Sequence, residues 1–205
     1  MSMRKEMLQV ARLAPKLLGE STPLVIDFLR SQVHPSGGFV DRIGQPDLYY
    51  TAFGIDALIS LQAELPASQL ANYLASLEVE KLDFVHLCCL ARCHAFLREA
   101  RLGILNLEKT LAAIESFRTP DGGYNQISQQ PFGTVYGAFL AVGAYQDCGV
   151  LLPEPLRVVQ SLKFLETNDR AWSNDRNVRV CSTNATAAAV TVLRNISMPL
   201  HHGVS

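Results

Sequence analysis

Apolar residues recur along this chain at three- and four-residue spacing, and no strict apolar–polar alternation persists. The pattern therefore predicts helices throughout and no sheet. Four apolar segments rich in small residues stand out: "LYYTAFGIDALISL" from Leu48, "FVHLCCLARCHAFL" from Phe84, "VYGAFLAVGAY" from Val135 and "TNATAAAVTVL" from Thr183. Ahead of the first and third lies a shorter periodic segment, then a Gly-Gly-aromatic turn (Gly37-Gly38-Phe39; Gly122-Gly123-Tyr124) and a polar loop.

Those two turns stand 85 positions apart, too far for one helix pair and suited to two. The copy between them ends in "LDFVHLCCLARCHAFL", where Asp83 stands as Asp47 does in "PDLYYTAFGIDAL", and its loop has lost the glycine pair. A fourth copy, "VVQSLKFLETNDRAWSNDRNVRVCSTNATAAAVTVL", carries Ala171-Trp172 in the turn. The expected organisation is one domain over 1–205. It comprises an N-terminal helical cap (1–20), four helix-pair repeats (21–198) and a tail (199–205). A pair cannot bury its apolar faces alone, so pairs stack, and small residues such as Gly54, Gly137 and Ala141 allow neighbouring helices to approach. The glycine pairs supply positive φ where the chain reverses, with Gly38 and Gly123 expected to resist side chains. The aromatic that follows each pair is read as structural.

Composition narrows the class. With 48% hydrophobic and 18% charged residues the chain has ample material for a core, and it is not disordered in general. A net charge of -1 excludes the basic excess of a dedicated nucleic-acid binder. Neither a signal peptide nor a membrane span is expected, since every apolar run is short or interrupted. Three of the five cysteines crowd at 88, 89 and 93, which suits reduced thiols on a helix and a cytoplasmic protein.

The strings "FLRSQVHPSGGF", "PDLYYTAFGIDAL", "TPDGGY" and "LDFVHLCCL" resemble the prenyltransferase and squalene-oxidase repeat superfamily. That superfamily includes protein prenyltransferase β subunits, squalene and terpene cyclases, and complement-like thioester domains. The resemblance covers about residues 20 to 195. It implies an all-α fold, an α/α toroid of about four helix pairs whose inner helices surround an apolar cavity. Catalytic members use five to seven pairs, so this chain looks like a short or open version. The resemblance also implies an apolar isoprenoid as ligand and, in the transferases, a zinc ion.

The family's zinc is held by an Asp-x-Cys pair and a later His that opens an inner helix. Asp83-Phe84-Val85-His86-Leu87 matches the His string, whereas the first copy has Tyr50 in its place. Cys181 matches the cysteine position, but Arg179 replaces the aspartate and the order along the chain is reversed. A second conceivable zinc set is His86, Cys89 and Cys93, spaced i, i+3, i+7 on one helical face; its structural reading is core packing with Leu90 and Leu97. The cyclases' acidic cluster and the Cys-Gly-Glu-Gln thioester string are both absent. The arginines of "TNDRAWSNDRNVR" could grip a diphosphate, or the segment is a solvated loop with Trp172 in the turn slot. Asp56 sits within an apolar string, where a carboxylate must be paired or have a raised pKa.

The catalytic candidates are thus Asp56, Asp83 and His86, and the metal candidates His86, Cys89, Cys93 and Cys181. Two functions fit: a prenyltransferase-like protein that binds or transfers an isoprenoid, or a noncatalytic toroid scaffold for protein–protein interaction. Four pairs leave apolar end faces uncovered, which implies a homodimer or a protein partner. Met7, Val10, Leu13, Leu17 and Leu18 are placed to cap one end.

Overall fold

A computed structural model describes residues 2–102, 106–178 and 180–197. The sequence-predicted tail and Arg179 lie outside the described residues. Among those described, helices alternate with turns and the only β contacts are isolated bridges, so the chain is all-α.

Four longer helices form the frame: α4 (Leu48–Ser60), α6 (Phe84–Ala100), α8 (Val135–Cys148) and α10 (Thr183–Ser197). They neighbour one another in chain order, α4 on α6, α6 on α8, α8 on α10. Each begins where a short polar side chain takes up an orphan amide of the first turn. Asp47 accepts from Tyr50 N at 3.0 Å, Asp83 from His86 N at 2.9 Å, Thr134 from Gly137 N at 2.9 Å and Ser182 from Ala185 N at 3.1 Å. The equivalence of Asp47 and Asp83 in the sequence is therefore an equivalence of helix caps.

Shorter helices precede them: α3 (Thr22–Ser31), α5 (Ala67–Ala75), α7 (Leu107–Glu115) and α9 (Pro155–Lys163). Helix α3 packs on α4, α5 on α6, α7 on α6 and α8, and α9 on α8 and α10. Helix α6 is the keel of the fold. One of its sides joins Phe39, Leu48, Ile55, Leu70 and Leu74 through Cys89, Leu90, Cys93 and Leu97, and the other joins Tyr124, Val135, Ala138 and Val142 through Phe84, Leu87, Cys88 and Ala91.

The turn into the longer helix recurs three times with the same hydrogen bonds. His34 N donates to Gly38 O, Thr119 N to Gly123 O and Thr167 N to Ala171 O, while Phe39, Tyr124 and Trp172 each accept from the cap residue that opens the next helix or from its equivalent. Positive φ falls on Gly37 (+106°), Gly122 (+91°) and Arg170 (+55°). The glycine pairs thus supply the positive φ through their first members, and Gly38 and Gly123 do not carry it. Those second glycines are constrained by packing instead: a Cβ on Gly38 would lie 2.8 Å from the Tyr73 ring, and one on Gly123 2.4 Å from Ser161 Oγ.

Two glycines of the longer helices, Gly54 and Gly137, have a further use beyond the one expected. A Cβ on Gly54 would meet the Phe39 ring at 2.5 Å, and one on Gly137 would meet Tyr124 O at 2.2 Å. These two glycines make room for the turn aromatic, for its ring at Phe39 and its backbone carbonyl at Tyr124. Thr51 and Thr186 complete the arrangement, accepting from Phe39 N at 2.9 Å and Trp172 N at 3.0 Å.

The N-terminal helix α1 (Met3–Ala11) does not cover the end of the array. It crosses the longer helices, packing on α4 and α8. Val10, Leu13 and Leu17 are left exposed, as are Leu24 and Phe28 of α3. The reason is Arg4, whose burial fixes the face of α1 that points inward.

Candidate functional site

Asp56 and Arg92 lie on adjacent long helices, each nine positions after its cap (47 to 56; 83 to 92). This shared register brings them together: Arg92 Nε donates to Asp56 Oδ2 at 2.6 Å. The other carboxylate oxygen accepts from Arg4 Nε of α1 at 2.8 Å. A buried carboxylate needs such partners, and Asp56 has two. Asp147 of α8 completes the group. Burial pushes its carboxyl up to about 6, although Arg4 acts in the opposite direction. Its Oδ1 and the Nη2 of Arg4 are buried without a hydrogen-bond partner.

Nearer the start of the longer helices the surface turns aromatic. Tyr49, Tyr50 and Phe53 of α4 and Tyr136 of α8 are all more than a third exposed. Tyr49 lies 4.8 Å from Phe53 between ring centroids, and the Arg92 guanidinium sits 5.1 Å over the Phe53 ring. Burial raises the Tyr136 pKa, and the Tyr49 phenol adds to the rise.

His86 bridges the two cap aspartates: its Nδ1 lies 2.8 Å from Asp83 Oδ1 and its Nε2 3.2 Å from Asp47 Oδ2. Partial burial works against the imidazolium, but the bonds to Asp83 and Asp47 outweigh it and raise the pKa. Asp83 shifts the opposite way, because the amide and ring of His86 overcome its burial.

The sequence-based zinc set is not assembled. Cys89 and Cys93 lie in the core between α4 and α6, where burial pushes Cys89 up to about 12 and Cys93 well above its ordinary value. Such thiols stay protonated and are poor ligands. Cys181 stands half-buried ahead of α10, and among the described residues no three His, Cys, Asp or Glu side chains form a metal-binding group. Of the loop's described arginines, Arg176 is engaged, lying over the rings of Phe132 and Phe164, and Trp172 Nε1 donates to Leu162 O at 3.0 Å. Two surface depressions, one beside Arg30, His34 and Gln69 and the other beside Glu166, Asp169 and Arg176, border none of Asp56, Asp83 and His86.

Sequence reasoning flagged Asp56 but missed its partners Arg4 and Arg92. The usable signal was the register, since an arginine in one apolar string stands where an aspartate stands in the previous one. Asp147 gave no comparable signal. No helix among the described residues is long and apolar enough to cross a membrane. Compared with known proteins, the chain matches no family model and no curated protein.

Proposed function

We propose that the chain is a repeat protein of the prenyltransferase and squalene-oxidase type, a short α/α toroid with α4, α6, α8 and α10 as its inner helices, and that it binds an apolar, isoprenoid-like ligand. The observation that carries this reading is the exposed aromatic surface of Tyr49 and Phe53 on α4 and Tyr136 on α8, the two long helices that flank α6. Exposed rings grouped in this way mark an interaction site, because a monomeric surface rarely leaves them uncovered. A fluorescent farnesyl alcohol analogue tests it by anisotropy. Saturable binding that falls about tenfold or more in Phe53→Ser combined with Tyr136→Ser supports the reading, on the scale of about 1.5–3 kcal/mol per buried aromatic. Absence of saturable binding overturns it.

A noncatalytic scaffold is the second reading, favoured by the pairing of Asp56 and the burial of Cys89 and Cys93. These withdraw Asp56, Cys89 and Cys93 as free nucleophile or metal ligands. The partner would cover the exposed Leu13, Leu17, Leu24 and Phe28, and a second copy of the chain is the simplest occupant. Light scattering that shows a monomer at micromolar concentration overturns the homodimer.

A further inference from the structure

Helix α1 is held in an unusual way. Its only buried residue is Arg4, and its apolar Met7 and Val10 face solvent. What fixes it, besides Met3 packed against the core, is a set of polar bonds to all four long helices. Arg4 pairs with Asp56 of α4 at 2.8 Å, Lys5 with Glu99 of α6 at 3.1 Å and Glu6 with Arg194 of α10, while Met3 N donates to Gln146 Oε1 of α8 at 3.0 Å. The groove thus presents an acid to each base of α1 and a base to its acid.

The attachment is also separable from the fold. The following helix α2 (Ala14–Leu18) and α3 contain no buried residue, so little core is lost if the N-terminal segment swings away. Asp56 keeps a partner in Arg92 when Arg4 departs.

We propose that the groove formed by Asp56, Glu99, Gln146, Asp147 and Arg194 is a docking site for an arginine-bearing helix, occupied in cis by α1 and open to α1 of a second copy by exchange. Charge complementarity selects the occupant: a buried guanidinium flanked by an ammonium and a carboxylate one and two positions later. Exchange of an identical element preserves every bond and requires only that the linker reach the other copy. The tethered helix competes at high effective concentration, so the unaltered chain resists an incoming copy.

A fluorescent peptide spanning residues 2–12 stands in for the incoming segment, titrated by anisotropy into full-length protein. The Arg4→Ala chain, whose own helix is weakened, is expected to bind the peptide about tenfold or more tightly than the unaltered chain. A peptide carrying Arg4→Ala is expected to lose that gain. Should Arg4→Ala chain fail to fold, Lys5→Glu with Glu6→Lys weakens the same latch from the surface and is expected to give the same gain. Equal binding to altered and unaltered chains, or equal binding of the two peptides, overturns the proposal.

Discussion

Arg4 and Asp56 stand 52 positions apart and are joined by a buried hydrogen bond of 2.8 Å from Nε to Oδ1, with Arg92 holding the other oxygen. The three residues tie the N-terminal helix to the two long helices behind it. Removing the shared carboxylate leaves two guanidinium groups without their anion, and a broken buried pair costs about 3–5 kcal/mol. Asp56→Ala is therefore expected to lower stability by that amount, measured by urea denaturation. Arg4→Ala is expected to cost less, because Asp56 retains Arg92. Equal losses in the two variants would mean that Arg92 does not hold the carboxylate.

The turn glycines separate backbone strain from steric exclusion. Gly37 combines φ of +106° with a Cβ position 2.0 Å from Gln69 O, and Gly122 combines +91° with one 2.4 Å from Arg157 Cβ. Gly44 has φ of +80° but open space around its Cβ position. Gly37→Ala and Gly122→Ala are expected to cost about 3 kcal/mol or more, strain and clash together, against about 1 kcal/mol for Gly44→Ala. Thermal melts of the three variants decide it, and a Gly44→Ala loss as large as the others would show that strain alone dominates.

Much of the helical frame was legible because it rests on local rules. Period, cap and turn residues lie within a few positions of one another, and the long helices start at Asp47, Asp83, Thr134 and Ser182 as short polar residues ahead of apolar runs dictate. The glycine pairs marked the turns, but not which glycine carries the positive φ, since that depends on the hydrogen bond from Gly37 N back to His34 O. The candidate site was less legible because its contacts are long-range. His86 was visible as a residue opening a helix, whereas its bond to Asp47 spans 39 positions. Met7, Val10 and Leu13 suggested an end cap by their spacing, yet one buried charge, Arg4, set the orientation of α1 against them. The spaced cysteines looked like ligands or core, and only their burial between α4 and α6 separates the two.

The bridge from His86 to Asp47 and Asp83 makes stability depend on pH near neutrality. The folded pKa of His86 lies above its unfolded value of 6.5, so its contribution is fully present below that value. It is lost as pH rises through the folded pKa. Asp83, lowered below 3.8, contributes above that pH and is lost only in stronger acid, so it does not mask the effect. The melting temperature is expected to fall from pH 6 to pH 8 more steeply in the unaltered chain than in His86→Gln. Parallel curves would show that the imidazolium is not held by the two aspartates.

Asp147 gives the opposite test within the buried cluster. Its carboxyl is pushed up to about 6 by burial, so the folded chain binds that proton more tightly than the unfolded one, whose value is near 3.8. Stability from this group is therefore greatest in acid and declines as pH rises from about 4 through about 6. At neutral pH the charge is buried, and Arg4, the Ser2 side chain and Arg92 oppose the penalty without cancelling it. Asp147→Asn keeps the shape and removes the ionisation, so it is expected to be more stable than the unaltered chain at pH 7.5 and to lose the advantage at pH 4.5. Urea midpoints at the two pH values read this out. A variant less stable at pH 7.5 would mean that the Asp147 carboxylate forms a favourable ion pair with Arg4 that outweighs its burial.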